Sequence, residues 1–208
     1  MTRTVMIASL LILQGKKALQ EVILKTSIKN LYLIPADTWL ERVEVTEALA
    51  ADRYSHERLK ELLKSLTSFD TILIDTPPSL CWLTESALIA SQFALVTATP
   101  EFYSVKGLQR LSQFMENIAE RHSLTVLGVA LSFWNPRGKS NHVFLDIIEN
   151  TFPGKILQTK VRRDIAVSEA SIHGQPIFEV YPKSRAAEDY TNLAKELLKR
   201  LRSLTCPK

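Results

Sequence analysis

The residue with the clearest chemical potential is Asp75, which directly follows Thr71-Ile72-Leu73-Ile74 and precedes Thr76-Pro77-Pro78-Ser79. An acid at the end of an apolar strand is where phosphoryl-transfer sites hold Mg²⁺ or its water. An acid in that place also serves as a helix N-cap or turn residue, so the pattern alone leaves both roles open. Pro77 and Pro78 sharpen it. Consecutive prolines bar helix continuation and hold a rigid turn, which suits a switch that senses a terminal phosphate.

A second chemical feature is basic. Lys160, Arg162, Arg163, Lys183 and Arg185 fall in two C-terminal turns. Such cations contact nucleic-acid phosphates without reading sequence, and strongly salt-dependently. A solvated surface carries them equally well. Aromatic interleaving of the kind found in single-strand binders does not accompany them. His56, His122, His142 and His173 show no metal spacing, and the sequence holds no GxSxG or CxxC. Cys81 and Cys206 cannot build a disulfide framework, and a reducing cytoplasm is the simplest compartment.

These residues need a scaffold. The chain has 208 residues, net charge +4, 46% hydrophobic and 23% charged residues. That is ordinary globular composition, large enough to bury a core without staples. Apolar runs predict strands at Leu31–Ile34, Thr71–Asp75, Phe93–Ala98 and Leu124–Phe133, with a short one at Ile156-Leu157. Helices are predicted over Lys16–Lys25, Ser55–Leu66, Leu83–Ala90, Ser104–Arg121, Asn141–Asn150, Ile165–Ile172 and Ser184–Leu204, with Ser55 as a cap. Thr71–Asp75, apolar on both faces, reads as a central parallel strand. Alternation of buried strands and helices predicts an α/β fold, a mostly parallel sheet with helices on both faces. Ligands of such sheets bind outside the carboxyl ends of the strands, where Asp75, Pro100 and Asn135 all fall. Arg3 and Val5–Leu13 resemble a short signal segment, but the run reads better as a buried strand. No run is long enough to span a bilayer. The stripe Leu193, Leu197, Leu198 and Leu201 is explained by packing of the last helix on the core, so no membrane partner is expected.

The segment Phe69–Leu80 resembles the Walker B region of the ParA/Soj/MinD partition ATPases. Thr99–Leu108, Ser168–Ile177 and Pro182–Tyr190 are similar to later family segments, and Leu31–Asp37 to an earlier strand. Ala130–Asn135 and Thr159–Ile165 resemble the chlamydial Soj-type ParA proteins in particular. The match runs in order from about Gln14 to Leu201. The resemblance implies a P-loop NTPase-like fold, Mg²⁺ and ATP as cofactors, and a bacterial protein of chromosome or plasmid partitioning. It implies that Asp75 holds Mg²⁺ through water, and that Thr76, Pro77 and Pro78 form the switch. Ser132, Phe133 and Arg163 would neighbour the base, although Arg162 stands where the family has proline. Phe133 and Trp134 read equally as packing aromatics. Lys160, Arg162, Arg163, Lys183 and Arg185 are the implied DNA contacts. The implied partners are non-specific DNA, a ParB-like protein, and a second copy or an intact ParA as dimer partner. The implied place is the cytoplasm, on the nucleoid.

One departure bears on activity. The family's deviant Walker A loop, KGGxGKT, is absent, and so is its LxDxDPQ strand. The only nearby Gly-Lys, Gly15-Lys16-Lys17, lacks the upstream glycines and a following Ser or Thr. The expectation is one ParA-like domain over residues 1–208, N-terminally incomplete, with residues 1–13 atypical. Either a longer gene has been read short, or an internally deleted paralogue uses Thr4–Leu13 in place of the lost first strand. Family-like residues beginning near Gln14 favour the former. ATP turnover should be impaired, because phosphoryl transfer depends on held phosphates. The alternative is a non-catalytic binding or regulatory protein that acts through partners.

Overall fold

The computed structural model describes residues 2–7, 19–35, 55–139 and 141–205. Gly15-Lys16-Lys17, the second half of Val5–Leu13 and the segment after Pro35 lie outside them. The described chain divides into two compact units, residues 1–92 with 118–124, and residues 93–117 with 125–208.

The first unit holds a four-stranded sheet made of β1 (Thr4–Ile7), β2 (Leu24–Lys25), β3 (Leu31–Ile34) and β4 (Thr71–Ile74). Its order is β2-β3-β1-β4. β1 is parallel to both neighbours, with Thr4 opposite Leu31 and Thr71. The apolar start of the chain therefore fills the slot between the two expected strands. Val5 is fully buried there, in a cluster with Leu19, Ile34 and Leu66. The Arg3 carbonyl accepts from the N–H groups of Asp70 and Thr71 at 2.9 and 3.3 Å. The Arg3 guanidinium lies 5.1 Å from the ring centroids of both Tyr32 and Phe69. Among the described residues β4, expected as a central strand, pairs on one side only, with β1, and Leu73 is 53% exposed.

Among the described residues this unit holds the helices α1 (Arg58–Leu63) and α2 (Trp82–Ala90). Leu59 of α1 and Leu83 of α2 share a buried cluster. The expected Ser55 cap is not the cap. Ser55–Glu57 forms a 3-10 turn, and Glu57 stands at the N-cap without a side-chain bond. The expected helix over Lys16–Lys25 is, in its described part, a 3-10 turn at Leu19–Val22 followed by β2. Antiparallel pairing of Leu24 and Lys25 with β3 outweighs the short helical periodicity there.

The second unit holds a parallel sheet of β5 (Phe93–Ala98), β6 (Thr125–Trp134) and β7 (Ile156–Arg162), in that order. Its helices are α3 (Phe102–Ala119), α4 (Asn141–Thr151), α5 (Ile165–Ile172), α6 (Ile177–Val180) and α7 (Arg185–Thr205). β7 runs well past the predicted Ile156-Leu157. α7 supports that extension. Glu196 accepts from the N–H groups of Gln158 and Thr159 at 2.8 and 2.9 Å, and Leu193 packs on Ala130, Leu157 and Val161. Covering the edge of a sheet with a helix satisfies donors that would otherwise stay open. Arg200, on the same helix, donates to the carbonyls of Leu127, Lys155 and Ile156. Gly128 lets β6 lie close to β7, because a Cβ there would stand 2.8 Å from Leu157 Cδ2. Among the described residues, no helix is long and apolar enough to cross a membrane.

Candidate functional site

In the first unit, Asp75 is the residue after β4, and it is exposed. Among the described residues its carboxylate has no hydrogen bond or ion pair. The turn behind it is fixed from α2. The buried Thr84 hydroxyl donates to the Ser79 carbonyl at 2.6 Å and reaches the Pro77 carbonyl at 3.5 Å. Thr76 and Pro78 are exposed and Pro77 is half-buried. A single free carboxylate fits Mg²⁺, which keeps several waters and takes only one or two protein carboxylates. No group of three or more His, Cys, Asp or Glu that could hold a metal occurs among the described residues.

In the second unit, the carboxyl ends of β5, β6 and β7 open on a cavity of about 980 Å³. Its walls include Pro100, Phe133, Asn135, Arg137, Arg163 and Arg185. Pro100 and Asn135, expected at strand ends, thus share one site. Phe133 is exposed for a local reason. Leu131 pairs with Lys160 and Trp134 with Arg162, so β6 carries one residue more than β7 across that step. Such a bulge bends the strand and re-aims a side chain. Phe133 takes the strain, at φ 52°, and its ring is left 58% exposed. Ser132 instead turns its hydroxyl toward the Ala98 carbonyl at 3.5 Å.

The cations of this region differ in what they hold. Arg162 is spent on the fold. It donates from Nε and from its backbone N–H to Asp189 Oδ2, both at 2.9 Å, and from Nη2 to Asp189 Oδ1 at 2.7 Å. Burial pushes the Asp189 carboxyl up. The Arg162 hydrogen bonds and the Arg162 and Arg185 charges outweigh that, so it lies below its ordinary range. The same bonds to Asp189 raise Arg162. Asp164 caps α5 by accepting from Ala166 N–H, and its other oxygen accepts from Ala186 N–H, each at 3.2 Å. The Ala166 bond first, then that of Ala186 and the Arg185 charge, lower the Asp164 carboxyl. Arg185 stands 3.9 Å from Asp164 with its side chain 65% exposed. Lys160 lies 5.4 Å from the Trp134 ring centroid and donates to the Gln158 carbonyl at 3.3 Å. Lys183 is exposed, and neither lysine lines the cavity. Arg163 and Arg137 are exposed cavity residues.

Arg137 is a cavity residue that the sequence does not single out. Its signal is local. Asn135 Oδ1 accepts from Arg137 N–H at 3.1 Å, and the Asn135 carbonyl accepts from Gly138 N–H and from Asn141 Nδ2. A Cβ at Gly138 would lie 2.5 Å from Asn141 Oδ1, so any other residue there would displace the Asn141 side chain from this turn.

A family model described as an AAA domain matches residues 2–126. The chain is similar to a ParA family protein of Chlamydia pneumoniae, 64% identical over 194 residues, which are 93% of this chain and 76% of that protein. It is also similar to the sporulation initiation inhibitor protein Soj of Bacillus subtilis, 33% identical over 181 residues, 85% of this chain and 70% of that one. In three dimensions it is similar to the septum site-determining protein MinD of Pyrococcus horikoshii, solved with Mg-ADP. The TM-score is 0.73 at 21% identity, covering 99% of this chain and 87% of that one. That last likeness is one of fold.

Proposed function

The chain belongs to the ParA family, and on that premise we propose that it is a chromosome or plasmid partitioning protein whose own ATP turnover is small or nil. The observation that carries this reading is the 64% identity to a ParA family protein over 93% of the chain. Phosphoryl transfer needs the phosphates held and neutralised, and the sequence has no KGGxGKT to do it. In this reading Asp75 holds Mg²⁺ through a water, beside the Thr76, Pro77 and Pro78 switch. Bound Mg²⁺ would neutralise phosphate charge. Phe133 offers a ring face to the base, with Ser132 and Arg163 as its neighbours. Lys160, Arg163, Lys183 and Arg185 contact DNA phosphates, and Arg162, already paired with Asp189, contributes least. A ParB-like protein, and a second copy or an intact ParA, are the protein partners. The protein works in the cytoplasm on the nucleoid.

Turnover with Mg-ATP should not exceed that of Asp75→Ala, and DNA retention should fall steeply with salt. Turnover clearly above that control would sink the impaired-ATPase reading. The missing loop also favours a second reading, a non-catalytic regulator that uses no nucleotide. A rise in Tm with millimolar Mg-ATP counts against it, since a ligand of the native state must stabilise that state.

A further inference from the structure

The cavity at the ends of β5, β6 and β7 is lined by Arg137, Arg162, Arg163 and Arg185 against one acid, Glu101. Only Arg162 is consumed, by Asp189. Arg185 faces an Asp164 whose oxygens already accept from Ala166 and Ala186. Arg137 and Arg163 have no side-chain hydrogen bond or ion pair among the described residues. Among the described residues Arg137 and Arg163 are thus unpaired on the cavity wall and Arg185 holds only a long ion pair with Asp164, so the lining carries more cations than its one acid, Glu101. Planar guanidinium groups match phosphate oxygens in paired hydrogen bonds. The backbone of the Arg137 turn is fixed in advance by Asn135 and Asn141, so on binding only the side chain needs ordering. Beside the arginines stands the Phe133 ring, exposed by the strained bulge. Strain of that kind persists where the surroundings impose it, and it clusters at ligand sites.

We propose that Arg137, joined by Arg163 and Arg185 when DNA does not occupy them, binds the phosphate of a nucleotide whose base lies on Phe133, and that this needs neither a P-loop nor Mg²⁺. The proposal rests on reading this cavity as a nucleotide site. It adds a phosphate position within the second unit, and it makes Arg137 a binding residue.

The test is calorimetric titration of the full chain with ADP, adenosine and pyrophosphate in EDTA. ADP should bind without Mg²⁺, about tenfold or more tighter than adenosine, as charge-assisted hydrogen bonds to a phosphate require. Arg137→Ala should weaken ADP about tenfold and leave adenosine unchanged, with Arg137→Lys between the two. Phe133→Ala should weaken ADP and leave pyrophosphate unchanged. Arg202→Ala, on the exposed end of α7, removes the same charge elsewhere and should change nothing. The proposal is overturned if ADP requires Mg²⁺, if adenosine binds as tightly as ADP, or if Arg137→Ala has no effect. Pyrophosphate binding as tight as that of ADP assigns the site to a free anion and overturns the nucleotide. Absence of all binding overturns the proposal while leaving salt-dependent DNA retention, the test of the partitioning reading, to stand or fall by itself.

Discussion

The two units spend their carboxylates in opposite ways. In the second, Asp164, Asp189 and Glu196 each accept at least two hydrogen bonds and tie β7, α5 and α7 together. In the first, Asp75 is exposed at the end of a four-residue strand and bonds to nothing among the described residues. The sheets differ in the same sense. In the first, β3 and β4 have four residues each, whereas β6 of the second has ten. An acid bound to backbone is architecture, and an acid left free beside a fixed turn is available to a cation. Residue type alone does not separate the two; partners do.

The sharpest way to break the comparison is at β1. Val5→Asp puts an unpaired charge at a fully buried position of the inner strand of the first sheet. It should cost roughly 4 kcal/mol, read as the urea midpoint. Next is Leu157→Ala, at a fully buried site of the second sheet, with an expected loss of roughly 2–5 kcal/mol. Leu73→Ala, at a half-exposed site, should cost under about 1 kcal/mol, and equal losses for the two leucines would erase the contrast in burial.

Acid should act through the second unit. Asp164, Asp189 and Glu196 lie below their ordinary values of 3.8, 3.8 and 4.5. On acidification the unfolded chain therefore takes up these protons first. The stabilisation is complete above those ordinary values and is lost as pH falls through the lower folded ones. Midpoints measured from neutral pH down to about pH 3 should fall, and less steeply in Asp189→Asn, which has one such group fewer. Arg3→Ala should cost about 0.5–1 kcal/mol, by loss of its contacts with Tyr32 and Phe69. Asp75→Asn should move stability least, within about 0.5 kcal/mol. It should still abolish any Mg²⁺-dependent part of a nucleotide-induced rise in Tm. A large loss of stability there would show that Asp75 is architecture after all.

Much of the fold was legible because its signals are local. Phe93–Ala98 and Ile165–Ile172 have the predicted bounds, and alternation of strand and helix announced the parallel sheets. Asp75 was legible as an acid following an apolar strand. What was not legible depends on partners far along the chain. Gln158-Thr159-Lys160 is too polar to read as strand, and its extension is supported by Glu196, 38 residues from Gln158. Arg162 reads as a free cation until Asp189, 27 residues on, is seen to hold it. The left-handed Phe133 follows from a one-residue mismatch between β6 and β7, which no run of side-chain types encodes. Arg137 was visible as a residue, but its place on the cavity wall was not.

The pairing of β1 with β4 also has a consequence in time. Arg3 and Asp70, bonded where the two strands begin, are 67 residues apart. At about 5–20 residues per second, a ribosome needs roughly 3–13 s to supply the second partner after the first. Until then β1 can pair only with β3, and its other edge stands open to any passing strand. The inner strand of the first sheet is thus made well before one of its two neighbours, and it is enclosed only when that neighbour arrives. A pause in synthesis between Ile34 and Thr71 would lengthen the interval in which that edge must be shielded.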